Sequence, residues 1–205
     1  MHTMLDIVGS TIVGGAILLL LFRMNGSMGD LSFQNTLDVA TQTNSRTIAD
    51  MINHDFYKIG YHESINGISP IVESADSNYI RFRSDIDNNG TVDTVQYYTS
   101  APYDVHGSAV RFQNLYRGVN SSTGPGANLG LTSFKLIYFD TLGVLINLPT
   151  PTDSASRRRI RSIKIQMLVK NPMTVDTTST ATFDTTFAAT YWEKWISPKN
   201  LRALK

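Results

Sequence analysis

The residues best suited to chemistry lie close together, in Asp85-Ile-Asp-Asn-Asn-Gly-Thr-Val-Asp93. Calcium takes six to eight oxygen ligands around a tight turn that needs glycine at its sixth position. Asp85, Asp87 and Asn89 stand at ligand positions, Gly90 supplies the turn, Thr91 offers its carbonyl and Asp93 adds a carboxylate. Gln96 takes the twelfth position, where a strong site has a bidentate glutamate, so the pattern predicts weak calcium binding. A plainer reading competes with it. Asn88-Asn89-Gly90 is a good hairpin turn, and Asp and Asn form turns by bonding their own backbone.

A second chemical feature is Asp6, just before the uncharged run Ile7–Phe22, which Arg23 closes. From Met4 to Phe22 a helix rises roughly 28 Å, about one bilayer core. A carboxylate at the edge of such a helix is costly and points to a function. No Lys or Arg precedes Arg23. The partner of Asp6 is then the N-terminal amine or a group from another chain; alternatively Asp6 sits hydrated as a helix end-cap. A cleavable signal needs a basic start and a small-residue cleavage site. Neither flanks this run, so we expect a retained membrane helix with the polar mass on one side.

Other residues offer less. Arg157, Arg158, Arg159 and Arg161 form a basic cluster, read as a solvated loop before a strand. Net charge is +1, and no second basic run or aromatic ladder accompanies the cluster, so no nucleic acid is expected as partner. Tyr191, Trp192 and Trp195 suggest interface or edge packing. The absence of cysteine excludes thiolate metal sites, a cysteine nucleophile and disulfides. His2, His54, His62 and His106 lack metal-ligand spacing, and there is no nucleophile elbow or phosphate-binding glycine loop. We therefore expect neither catalysis nor a small-molecule substrate.

These residues must be positioned by one anchor and one domain, which is what 205 residues accommodate. Gly26, Gly29 and Asp30 predict a kink or melted turn. A second helical pattern runs from about Phe33 to Tyr61. Ile48, Met51, Ile52, Asp55, Phe56 and Ile59 recur on one face, apolar except at Asp55; Asn44, Arg46, Asp50 and Lys58 lie opposite. Gly60 fits a C-cap. Strands follow at Tyr79–Ser84, Thr94–Thr99, Ala109–Tyr116, Ser133–Phe139, Val144–Asn147, Ser162–Val169 and Thr182–Tyr191. Gly118–Gly130 reads as a flexible loop and Asp140–Gly143 as a hairpin turn. The fold class is α+β: a long N-terminal helix, apolar and then amphipathic, packed on an antiparallel β-sheet domain. The division is 1–29 (apolar helix with glycine break), 30–62 (amphipathic helix) and 63–205 (β-rich head).

In this order the stretches resemble a type IV pilin-like protein, specifically the W-type minor pilins and the J-type pseudopilins of type II secretion. His2-Thr-Met-Leu-Asp-Ile7 can be laid on the pilin start, placing Asp6 at the family's glutamate. Asn44–Tyr61 resembles the family's helix end, Asn78–Asp93 its following hairpin, and Leu131–Asp140 and Arg159–Ile165 its later strands. The resemblance implies a filament subunit with other pilin-like subunits as partners. It implies an inner-membrane anchor and exported head before assembly, a pilus or extracellular filament afterwards, and Asp6 pairing with a neighbour's N-terminus. The rival reading is a membrane-anchored, calcium-dependent binding or adhesion module.

Overall fold

The computed structural model describes residues 2–62, 70–104, 110–120, 122–124, 126, 129–147, 154–171, 175–176, 185–186 and 188–202. It begins with a single helix, α1 (His2–Tyr57), of 56 residues, rising roughly 84 Å. The expected break at Gly26–Gly29 does not occur. Each glycine costs about 1 kcal/mol against alanine. Extending a formed helix needs no new nucleus, and no proline interrupts this one. Threonine hydroxyls along its second half donate to carbonyls one turn back: Thr36 to Ser32, Thr41 to Leu37, Thr43 to Val39 and Thr47 to Thr43.

α1 has two regimes. Its large apolar side chains at Met4 and from Ile7 to Phe33 are exposed. From Leu37 onward one face is buried: Leu37, Thr41, Ser45, Ile48, Ala49, Ile52, Asp55 and Phe56. The buried stripe follows the expected spacing, with Met51 half-buried. The helix ends at Tyr57, earlier than the pattern's end at Tyr61, and Gly60 closes it at φ +75°. There the Gly60 N–H donates to Arg83 O at 2.9 Å. A Cβ at Gly60 would meet Ile71 Cδ1 at 2.9 Å, so glycine is required on two counts.

Two antiparallel sheets flank this end. The first comprises β1 (Val72–Ala75), β2 (Tyr79–Ser84), β3 (Asp93–Thr99), β6 (Leu115–Val119) and β7 (Ser122–Thr123), in that spatial order. A small pair, β4 (Tyr103–Asp104) and β5 (Arg111–Phe112), lies between β3 and β6 in the chain. The second sheet has the order β12 (Ala189–Ile196), β9 (Ser162–Lys170), β8 (Leu131–Phe139). A helix of six residues, α2 (Ser154–Arg159), leads into β9. Another short pair, β10 (Val175–Asp176) and β11 (Thr185–Thr186), separates β9 from β12 in the chain.

Alternation behaves as expected. Ile80 and Phe82 are buried while Arg81 and Arg83 both reach Glu73, at 2.9 and 2.5 Å. Ile163, Ile165, Met167 and Val169 are buried along β9. α1 packs on β9 and β12, and Phe56 meets Phe82 and Tyr97 edge-on across the core. The two sheets also touch directly: Leu136 N donates to Ser77 O, and the Tyr138 hydroxyl donates to Asp76 O.

Several strand boundaries differ from expectation. The Ala109–Tyr116 candidate divides into β5 and β6, because Asn114 turns to exchange bonds with Ser100, and Gln113 N donates to Leu131 O. Gly118, expected in a loop, belongs to β6. A Cβ there would fall 2.8 Å from Gln96 Nε2, so the glycine makes room for the cross-strand side chain. After β8 the chain returns in one bridge, Phe139 to Leu145, rather than a strand over Val144–Asn147. The last strand is Ala189–Ile196 instead of Thr182–Tyr191, because it pairs residue for residue with β9; residues 177–184 lie outside the described part.

One buried ionic network joins α1 to the first sheet. Asp55 accepts from Arg117 Nε at 2.5 Å, Arg117 Nη2 at 3.2 Å and the Tyr97 hydroxyl at 2.6 Å. Burial, then the adjoining Asp55 charge, raises the Tyr97 pKa. The hydrogen bond to Asp55 is the main cause that raises the Arg117 pKa. Removing Asp55 leaves the buried Tyr97 hydroxyl and the partly exposed Arg117 guanidinium without their partner, which costs about 1–3 kcal/mol. Asp55→Ala is therefore expected to lower the stability of the head by about that amount, and Asp55→Leu with Arg117→Met to recover part of the loss. Denaturant unfolding of the full chain checks this; additive losses in the double variant would count against coupling.

Candidate functional site

The acidic turn between β2 and β3 brings three carboxylates together. Ligand oxygens of Asp85, Asp87 and Asp93 all lie within 4.8 Å of one another. Asp85 and Asp93 are buried and Asp87 is exposed. The turn is shaped by left-handed residues, Asn88 at φ 60° and Gly90 at φ 81°. Asp85 accepts from Asn89 N at 3.0 Å and Gly90 N at 2.9 Å, and Asp93 accepts from Ile86 N at 3.2 Å. Each carboxylate oxygen has two lone pairs, so one hydrogen bond leaves capacity for a cation.

The other two expected ligands behave differently. Asn89 donates through Nδ2 to Asp87 at 2.8 Å, and its Oδ1 accepts from Thr91 N at 2.7 Å and from the Thr91 hydroxyl. Asn89 and Thr91 thus bond each other, which serves the turn. Two contributors were not legible in the spacing. Lys58, assigned to the polar face of α1, donates through Nζ to Ile86 O at 2.6 Å and Asn88 Oδ1 at 3.2 Å. Asn120, from the turn after β6, donates to Asp93 Oδ1 at 2.9 Å and accepts from Thr94 N at 3.0 Å. Both meet the loop through long-range contacts that no local pattern encodes.

The apolar part of α1 is the second candidate site. The helix is long and apolar enough to cross a membrane by length and composition, with none of its most apolar window buried. Asp6 is exposed on it, and no ion pair to Asp6 occurs among the described residues. The arginine cluster lies on α2 rather than in a loop, with Arg161 just beyond. Arg159 Nη2 binds Asp140 at 3.1 Å. Trp195 is on the outward face of β12, an edge strand, and stacks on Phe139 at 4.3 Å. Trp192 packs inward against the core. His54 Nδ1 lies 3.0 Å from Asp55 Oδ1, and the acidic turn is the sole metal-ligand grouping among the described residues.

No family model, curated protein or solved structure gives a significant match to the chain.

On the outward face of the second sheet, Glu193 accepts from Gln166 Nε2 at 2.8 Å and the Tyr191 hydroxyl at 2.5 Å, and pairs with Lys164 Nζ at 2.7 Å. These partners, Gln166 foremost, depress its pKa from 4.5 to about 2. A depressed carboxylate contributes stability that is present above its unfolded pKa and lost as pH falls through its folded pKa. Between pH 4.5 and 2 the native protein is expected to lose more stability than Glu193→Gln. Melting temperatures of both across that window decide it, and parallel profiles would refute the assignment.

Proposed function

We propose that the protein is a non-catalytic structural subunit of a type IV pilus-like or type II secretion-like filament, anchored in the inner membrane by α1 before assembly. The observation that carries this reading is the length of exposed apolar helix. Met4 to Phe33 rises roughly 45 Å, against a bilayer core of about 30 Å. Met24, Met28, Leu31 and Phe33 lie beyond Arg23 and are exposed. Lipid does not reach side chains that far out, whereas neighbouring helices in a bundle would cover them. A head-to-tail contact that does not close on itself extends such a bundle into a filament. In it, Asp6 meets an amine of the next subunit, because a carboxylate at the apolar edge needs a cation.

Two substitutions separate a filament core from a simple anchor. Leu31→Ser with Phe33→Ser leaves Ile7–Phe22 intact, so membrane content is expected to stay at the native level while sheared filament content falls severalfold. Asp6→Ala is expected to do the same through loss of the pairing charge. Unchanged filament content in both variants would leave α1 as an anchor alone.

The three converging carboxylates favour a second reading, a membrane-anchored module whose binding or adhesion depends on calcium. A ligand that binds the native state stabilises it by mass action. Asp87 is exposed and is the variant of choice, since its loss leaves the buried pair in place. Asp87→Ala is expected to melt lower than the native chain in calcium buffer and equally in chelator. A native melting temperature indifferent to calcium would make the loop a turn and no more.

A further inference from the structure

We propose that β12 pairs edge to edge with β12 of a second copy of this chain, merging the two three-stranded sheets into one. β12 forms one side of its sheet, and its main chain alternates in direction. Asn171 N donates to Ala188 O, so Ala188 directs its bonding groups at β9. Bonded and non-bonded pairs alternate along an antiparallel ladder, so Thr190, Trp192, Lys194 and Ile196 do the same. Ala189, Tyr191, Glu193 and Trp195 turn theirs the other way. Among the described residues no main-chain bond reaches that outer edge. The same four residues carry the exposed side chains of the strand.

An open edge is a template for a further strand, and proteins ordinarily blunt it with proline, a bulge or a charge aimed into the gap. β12 has none of the three. Its eight residues contain no proline and pair with β9 without a register shift. Its lysine, Lys194, lies on the inward face with Nζ 5.3 Å from the centre of the Tyr57 ring. Its acid, Glu193, is held by Lys164, Gln166 and the Tyr191 hydroxyl. The edge therefore offers main chain flanked by two half-exposed rings, Tyr191 and Trp195.

The occupant follows from the fit of the strand to itself. An antiparallel self-pair sets the outward-bonding residues opposite one another. Centred on Glu193, it would bring two carboxylates face to face. Centred on Lys194, it would bring two ammonium groups together at the closer, non-bonded spacing. Centred on Trp192, it sets Tyr191 opposite Glu193 of the second copy, Thr190 opposite Lys194 and Ala189 opposite Trp195. No like charges then meet, all four outward-bonding residues find partners, and about eight main-chain hydrogen bonds form. Centres nearer either end of the strand leave some of the four unpaired.

A two-fold contact of this kind closes on itself. Its axis stands normal to the sheet, and α1 packs on one face of that sheet, so the two helices leave in opposite directions. The pair therefore bridges chains rooted in two different membranes or filaments, and is distinct from the head-to-tail contact within one filament. It does not rest on the filament reading.

The test uses the full chain in phosphatidylcholine nanodiscs, where contacts between α1 helices cannot pass from one disc to another. Discs carrying Thr190→Cys are mixed with discs carrying Lys194→Cys and oxidised. Residues opposite at the closer spacing lie within disulfide reach, and the native chain has no cysteine to compete. A disulfide-linked pair is expected in the mixture, and little or none with either variant alone. Ala189→Cys mixed with Trp195→Cys, both at exposed positions, repeats the measurement with a short bismaleimide should the first pair disturb folding. Chains that do not enter discs are mixed in neutral-detergent micelles, one chain to a micelle. Tyr191→Glu, which sets a carboxylate opposite Glu193, is expected to lower the yield about fivefold, and Tyr191→Lys to hold it. No cross-link in the mixture, equal yields from the single variants, or equal loss in both Tyr191 variants would overturn the proposal. Loss of filaments leaves these yields unaltered and overturns the filament reading alone.

Discussion

The head is held together at one buried carboxylate. Asp55 sits on the face of α1 that otherwise carries Ile48, Ile52 and Phe56, where an uncompensated charge would cost several kcal/mol. Arg117 and Tyr97, from two neighbouring strands of the first sheet, converge on it. Apolar packing of α1 on β9 and β12 tolerates small rotations and slides, because hydrophobic contact is non-directional. The ionic network does not. It accepts one rotation of the helix and one axial position, and thereby aligns Phe56 with Phe82 and Tyr97. The helix is thus packed by burial against both sheets, and the ionic network fixes its position on the first.

Much of this architecture was legible in the residues. Alternation along Ile163–Val169 and Tyr79–Ser84 is set by the pleat, and the stripe from Ile48 to Ile59 by helical geometry, so both survive folding unchanged. Asp55 was visible as the one polar residue on an apolar stripe. Its partners were not, because Arg117 is 62 positions away and lies in a strand whose limits the glycines obscured. The glycines misled twice, and for different reasons. At Gly26 and Gly29 their intrinsic cost was too small to end a helix already propagating. At Gly118 the missing side chain serves a strand, by admitting Gln96. The acidic turn shows the same division: its own aspartates were evident, whereas Lys58 and Asn120 reach it from elements distant in the chain.

Lys58 gives the turn a mechanical meaning as well. It follows directly on α1, and its ammonium caps the carbonyl of Ile86 while its own carbonyl accepts from the Ser84 hydroxyl. Asp85 N donates to Tyr61 O. The end of the helix and the start of the acidic loop are therefore one hydrogen-bonded unit. Whatever stiffens the loop, whether its internal bonds or a cation, also stiffens the exit from α1.

The unbroken course of α1 through Gly26 and Gly29 has a consequence for phase. A melted turn would have acted as a swivel, letting the head choose its own bearing. A continuous helix transmits bearing instead: each residue between Arg23 and Thr36 adds roughly 100° of azimuth and 1.5 Å of height. Losing a single residue there would swing the acidic turn to another side of the rod, whereas losing seven would leave its heading within roughly 20° and lower it by about 10 Å. The spacer is in that sense a dial as much as a stalk, and its length in residues sets the compass direction in which the head looks.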